Sequence, residues 1–146
     1  MNAYADTSFL LSLVGQDQNS ASAKAWMALA TSAPEIPFTL FGTLEFNNAA
    51  RALVFQGRLD PAGLGRMQAR VAQCLKAGIL RRTPLPVYRH YEEGELLSAA
   101  LTVQHGVRTL DLLHVAAARV LGARNLLTFD TRQRQFAARC GLRVLP

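Results

Sequence analysis

The chain has 146 residues, half of them hydrophobic, and carries sixteen Lys and Arg against ten Asp and Glu for a net charge of +6. That length suits one compact domain over residues 1–146 with a substantial core, and the apolar fraction excludes a disordered chain. No apolar run approaches the roughly 20 residues needed to span a bilayer, and "FLLSLVG" (9–15) lacks the layout of a signal peptide; the protein is expected to be soluble and cytoplasmic.

In chain order, "MNAYA" (1–5) reads as a short buried strand, with Asp6 directly after it and a helix starting near Ser8. "SASAKAWMALATS" (20–32) predicts a helix with Ala23, Trp26, Met27 and Ala30 on one stripe. The two prolines of "PEIPFTL" (34–40) confine any strand there to a short or edge position. "GTLEFNNAARALVFQG" (42–57) is helical and stops at Gly57. The helix in "LDPAGLGRMQARVAQCLKAG" (59–78) opens on Asp60 as N-cap with Pro61 at its first position and ends near Gly78.

"GILRR" (78–82) predicts another strand, and "PVYRHYEEGELLSAALTVQHG" (86–106) a long helix with Gly94 as a weak point. "TLDLLHVAAARVLG" (109–122) is a helix with Thr109 as N-cap and Gly122 at its end. A buried strand "NLLTF" (125–129), a short helix "TRQRQFAARCG" (131–141) and a last strand "LRVL" (142–145) complete the chain. Strands alternating with helices imply an α/β sandwich with a mostly parallel sheet.

The carboxylates fall at particular places in this pattern. In a right-handed crossover a helix N-terminus lies at the same end of the sheet as the strand C-termini. Asp6 and Asp130 each follow a strand, Asp111 sits in the first turn of its helix, and Glu45 lies in the first turn or two of another. All four should gather at the carboxyl edge of the sheet, where open α/β folds place ligands. Singly, each reads as a helix cap or a complement to a helix dipole. Together they repel one another, and a cation relieves that repulsion. Mg²⁺ or Mn²⁺ suits carboxylate oxygens and can activate a water beside a phosphodiester.

Fourteen of the sixteen basic residues are Arg, whose planar fork pairs with phosphate or carboxylate. This excess suits an RNA backbone or an acidic partner. Arg51, Arg108 and Arg132 lie near the acidic positions in sequence and would either grip phosphate or lock the carboxylates by ion pairing. Cys74 and Cys140 are isolated and the three histidines show no zinc spacing, so buried, reduced thiols are expected. His114, three residues after Asp111, reads either as an orienter of a ligand water or as a satisfied, partly buried histidine.

Four segments carry a family resemblance: "YADTSFLL" with Asp6, "TLEFNNAAR" with Glu45, "RTLDLLHVAAA" with Asp111 and "LLTFDTRQ" with Asp130. In this order they resemble the acidic motifs of the PIN domain, and the length and layout resemble VapC-type toxins of toxin–antitoxin pairs. The resemblance spans nearly the whole chain. It implies an α/β/α sandwich around a parallel sheet and Mg²⁺- or Mn²⁺-dependent cleavage of RNA. Asp6 and Asp111 would be the principal metal ligands, with Glu45 and Asp130 completing the cluster. Thr7 or Ser8, and Thr128, would support them through hydroxyl hydrogen bonds. A cognate antitoxin masking the pocket and a homodimer are implied as well.

Two rival readings differ in kind. A haloacid-dehalogenase-like phosphatase resembles a D-x-D pattern after the first strand, but Ser8 stands at the second place. A non-catalytic nucleic-acid- or partner-binding module accounts for the Arg excess. It does not account for four converging carboxylates, which repel a phosphate backbone.

Overall fold

The computed structural model describes residues 2–29 and 35–146. Its elements run β1 (Ala3–Ala5), α1 (Thr7–Val14), α2 (Ser20–Leu29), β2 (Ile36–Phe38), α3 (Leu40–Phe55), α4 (Pro61–Lys76), β3 (Leu80–Arg82), α5 (Val87–His105), α6 (Thr109–Val120), β4 (Asn125–Leu127), α7 (Thr131–Arg139) and β5 (Arg143–Leu145). All pairings are parallel: β4 lies between β1 and β5, and β2 pairs with β3.

The two ladders meet at β1 and β2, which lie side by side without a hydrogen-bonded ladder between them. Pro37 explains the break. Ile36 donates to the Ile79 carbonyl and Thr83 donates to Phe38, so the flanking residues turn their backbone groups toward β3. The intervening residue therefore faces β1, and Pro37 has no N–H to offer there. The strand is short, as its prolines require. Its partner proline, Pro34, and the expected stripe residue Ala30 lie outside the described residues.

Alternation along the strands sorts the core into two layers. Ala3, Ala5, Leu127 and Leu145 face one side and pack with Phe9, Leu10 and Val14 of α1, Ala23 of α2, Phe46 of α3 and Met67 of α4. Tyr4, Leu126 and Val144 face the other, against Leu97 of α5, Leu112 and Val115 of α6 and Phe136 of α7. Helices thus cover both faces of a mostly parallel sheet, giving the α/β/α sandwich. Fully burying a large apolar side chain such as Phe9 or Leu126 stabilises by roughly 1.5–3 kcal/mol. No helix among the described residues is long and apolar enough to cross a membrane.

Three local expectations change. Helix α5 runs unbroken through Gly94. A Cβ there would come within 3.1 Å of Leu112, so the glycine serves the close approach of α6 rather than weakening α5. At α6 the cap is Arg108 and Thr109 is already helical, with no side-chain capping bond; one turn of periodicity cannot fix a boundary to the residue. Cys74 and Cys140 are free but half-buried rather than buried, and burial pushes both thiols up.

Candidate active site

The first strand ends where the chemistry begins. Asp6 continues the β1–β4 ladder, its N–H donating to the Leu127 carbonyl at 3.1 Å. This register sets Asp6 beside Thr128, the residue after β4. The Asp6 carboxylate is only 4% exposed. Its Oδ1 accepts from the Phe9 N–H at 3.0 Å and from the Ser8 hydroxyl at 2.7 Å, and its Oδ2 accepts from the Thr128 hydroxyl. Burial pushes Asp6 above its ordinary value, while His114, Thr128 and Ser8 pull the other way. Asp6 is therefore both the N-cap of α1 and a wall of the pocket.

Glu45 reaches the same place from the second turn of α3, whose own cap is the Thr39 hydroxyl accepting from Gly42 at 3.0 Å. Glu45 Oε2 accepts from both the Thr7 hydroxyl and His114 Nε2. Burial raises the Glu45 carboxyl, but the hydrogen bond and charge of His114, joined by Thr7, outweigh it and hold the group below its usual value. The other ring nitrogen of His114, Nδ1, lies 3.2 Å from the Tyr4 hydroxyl. Burial, reinforced by the charges of Asp6 and Glu45, pushes the Tyr4 phenol far up, so the hydroxyl stays protonated beside Nδ1. His114 is 3% exposed and packs against Phe41, ring centroids 4.8 Å apart.

Asp111 and Asp130 form the opposite wall. Asp130 Oδ1 caps α7, accepting from Arg132 N–H at 2.8 Å and Gln133 N–H at 3.0 Å. Among the described residues, Oδ2 of Asp130 and both carboxylate oxygens of Asp111 accept no hydrogen bond from the protein. Partial burial, then the nearby Asp130 charge, raises the Asp111 carboxyl, with Arg108 opposing.

The structure thus brings Asp6, Glu45, Asp111 and Asp130 to one cavity of about 430 Å³ at the carboxyl edge of the strands, together with Thr7, Ser8, Arg108 and His114. Thr128 lies beneath it, fully buried, donating to Asp6 and accepting from the Asp130 N–H at 3.0 Å. Ser8 also accepts from the Phe129 N–H at 2.9 Å. Arg132 lines a neighbouring cavity that shares Arg108 and Asp111 with this one. Arg51 is exposed and lines neither cavity. Six residues along α3 turn it roughly 600° from Glu45, which is off the pocket face. None of these arginines forms an ion pair with the four carboxylates among the described residues; His114 alone does, with Glu45.

Gln133 is a site residue that the sequence pattern does not single out. It is 1% exposed, and its Nε2 donates to the Asp111 carbonyl at 3.0 Å while its N–H donates to Asp130. One residue therefore ties two of the acidic motifs together. Its signal is the D-x-x-Q spacing of a capping box from Asp130, but the amide reaches across to α6 instead of back to its own cap.

The donor set is all oxygen and one-sided in charge, which fits a hard divalent ion. Among the described residues no three His, Cys, Asp or Glu side chains converge closely enough to hold an ion by themselves. An ion held there would take the free oxygens of Asp111 and Asp130 beside Asp6 and would need water and substrate to complete its shell, the usual habit of Mg²⁺.

Comparison with solved structures returns the same architecture. Mycobacterium tuberculosis VapC20, a sarcin–ricin loop cleaving toxin, is 20% identical with a TM-score of 0.67, covering 99% of both chains. FitAcB from Neisseria gonorrhoeae is 15% identical with a TM-score of 0.69, covering 99% of this chain and 96% of that one. PAE2754 from Pyrobaculum aerophilum is 19% identical with a TM-score of 0.61, covering 99% and 83%. At these identities the likeness establishes the fold. No curated protein sequence gives a significant match. The family profile of the PIN domain, however, matches residues 3–139, from β1 through α7 and across all four acidic positions. The chain belongs to the PIN-domain family.

Proposed function

We propose that this PIN-domain protein is a Mg²⁺- or Mn²⁺-dependent endoribonuclease and the toxin of a toxin–antitoxin pair. The observation that carries the reading is the gathering of four carboxylates, separated by up to 124 positions in the chain, around one cavity of an Arg-rich chain. Similarity of fold to the VapC20 toxin supports it. A binding module without catalysis is disfavoured, because the same carboxylates repel a phosphate backbone when no cation lies between them.

Asp6 and Asp111 would be the principal ligands of the ion, with Asp130 and Glu45 completing the set. The bound ion would supply an activated water and neutralise charge developing on the phosphodiester. Asp6 contributes a carboxylate fixed by Ser8, Thr128 and the start of α1. Glu45, held anionic by His114 and Thr7, is placed to accept a hydrogen bond from a water in the pocket. Arg108 at the rim would hold a phosphate oxygen of the RNA. The protein would act in the cytoplasm as a single domain, form a homodimer, and be masked by a cognate antitoxin.

Incubation of the purified protein with labelled RNA tests this. Cleavage should appear with Mg²⁺ or Mn²⁺ and stop with a chelator, and the ion alone should raise the melting temperature by mass action. Full cleavage in excess EDTA would remove the metal mechanism. Co-expression with the gene adjacent to its own, followed by copurification, tests the antitoxin.

A further inference from the structure

We propose that the cavity on the far side of Asp111 is a phosphate subsite that grips the RNA backbone next to the scissile position, an inference that rests on the ribonuclease reading above. The cavity holds about 330 Å³ between the α5–α6 corner and α7. Arg108, Arg132 and Arg139 line it, with His105 and Gln135. Arg132, Gln135 and Arg139 recur at helical spacing, so α7 presents them on one stripe.

Three observations point to a polyanion. First, all three arginines are exposed, and among the described residues none of their guanidinium groups forms an ion pair or a hydrogen bond, whereas Arg66, Arg81 and Arg119 each have a carboxylate partner. Like charges collected in a concavity repel unless an anion joins them, and the guanidinium fork is shaped for phosphate oxygens. Second, the only acidic side chain lining the cavity, among the described residues, is Asp111. Third, Asp111 and Arg108 also line the acidic pocket, so the two cavities share a wall. A phosphodiester chain offers equivalent anionic groups at each nucleotide and can occupy both cavities at once, one phosphate at the carboxylates with their ion and a neighbour among the arginines. A peptide carboxylate satisfies the second cavity alone and gains nothing from the shared wall. Arg139 is thereby added to the residues that position substrate, and the strand is led from the acidic pocket over Asp111 and along α7.

The test uses the full chain carrying Arg139→Ala, and Arg132→Ala with Arg139→Ala, with unchanged melting taken as proof of folding. Binding of a labelled single-stranded oligoribonucleotide is read by fluorescence anisotropy in EDTA, where the arginine cavity still functions, across a salt series. The double variant should bind about tenfold more weakly or worse. Its dependence of log affinity on log salt should be shallower by about 0.7 for each phosphate that the variant no longer neutralises. Equal affinity and equal salt slope in wild type and variant would overturn the subsite, whatever the cleavage assay gives. Loss of binding to an acidic peptide with RNA binding intact would also overturn it and assign the cavity to a protein partner. Absence of cleavage by the wild type with Mn²⁺, alongside a persistent difference in RNA binding, would remove the ribonuclease reading and leave the phosphate cavity standing.

Discussion

The two walls of the acidic pocket are built on opposite plans. On the Asp6–Glu45 side every carboxylate is engaged: three donors hold Asp6, and His114 and Thr7 hold Glu45. On the other side Asp130 is exposed and keeps one oxygen without a protein donor, and Asp111, half-buried like Glu45, accepts from no donor among the described residues. Sequence placement makes the difference. The β1–β4 register delivers Thr128 to Asp6, whereas Asp111 sits in the first turn of α6 and Asp130 caps α7, with no such register partner. A site of this kind fixes one half in advance and would leave the other half to the ion proposed above and its waters. Orienting part of the shell beforehand lowers the ordering cost when the ligand arrives.

The largest effect should come from removing charge on either wall. Asp6→Asn and Asp111→Asn should each lower RNA cleavage by at least about a hundredfold, the scale of removing one electrostatic interaction from a transition state. Their stabilities should differ. Asp111→Asn relieves repulsion with Asp130 and Asp6, so the apo melting temperature should stay level or rise. Asp6→Asn puts an amide nitrogen where an oxygen accepts, leaving a buried donor unsatisfied at a cost of about 1–3 kcal/mol. Equal stability changes in the two variants, read by denaturant unfolding, would erase the contrast between the walls.

His114→Ala comes next. It opens a hole beside Phe41 and Tyr4 and strips Glu45 of its partner, and should destabilise by about 2–4 kcal/mol. The same change should also let the Glu45 carboxyl rise toward protonation, so residual cleavage should shift its pH profile upward.

Acidity sharpens the comparison further. Asp6 and Asp111 are raised in the folded chain above their ordinary 3.8. A raised carboxyl binds its proton more tightly in the folded state than in the unfolded one. Its contribution is fully present below about pH 3.8 and is lost as pH rises through the folded value. Glu45 has the opposite sign: its folded value is lowered, so its contribution is present above its ordinary 4.5 and fades as pH falls below it. Substitution separates the two. Asp111→Asn should flatten the loss of apo stability on the neutral side of about pH 4, and Mn²⁺ should offset that loss in the wild type but much less in Asp111→Asn. Melting curves across pH, with and without the ion, measure both.

The smallest effect should be at Arg51. Facing away from the pocket, Arg51→Ala should leave cleavage within about twofold of wild type, as surface changes away from a site usually do. Arg108→Ala, on the rim, should raise KM about tenfold, the cost of one charge-assisted hydrogen bond. Matched kinetics for the two variants would place the RNA elsewhere.

Much of this arrangement was legible in the chain. Strand and helix punctuation located Asp6, Asp60 and Asp130 as caps, and crossover handedness sent the four carboxylates to one edge. Capping and pocket lining coincide at Asp6 and Asp130. What stayed hidden depends on contacts between distant segments. His114 meets Glu45 across 69 positions and Gln133 meets Asp111 across 22. Periodicity reports the face a residue occupies but not what stands opposite. Arg51 shows the converse, since nearness in sequence to Glu45 carries no nearness in space on a helix. The role of Gly94 was likewise set by a neighbour, α6, that the local sequence does not mention.

Calorimetric titration of Mn²⁺ into the wild type and Asp111→Asn tests the central claim most directly. The account predicts saturable binding to the wild type and at least about tenfold weaker binding to Asp111→Asn, with the variant's melting temperature level or higher. Indistinguishable titrations of the two proteins, or no binding by the wild type at millimolar Mn²⁺, would contradict the assignment of the acidic pocket as the metal centre.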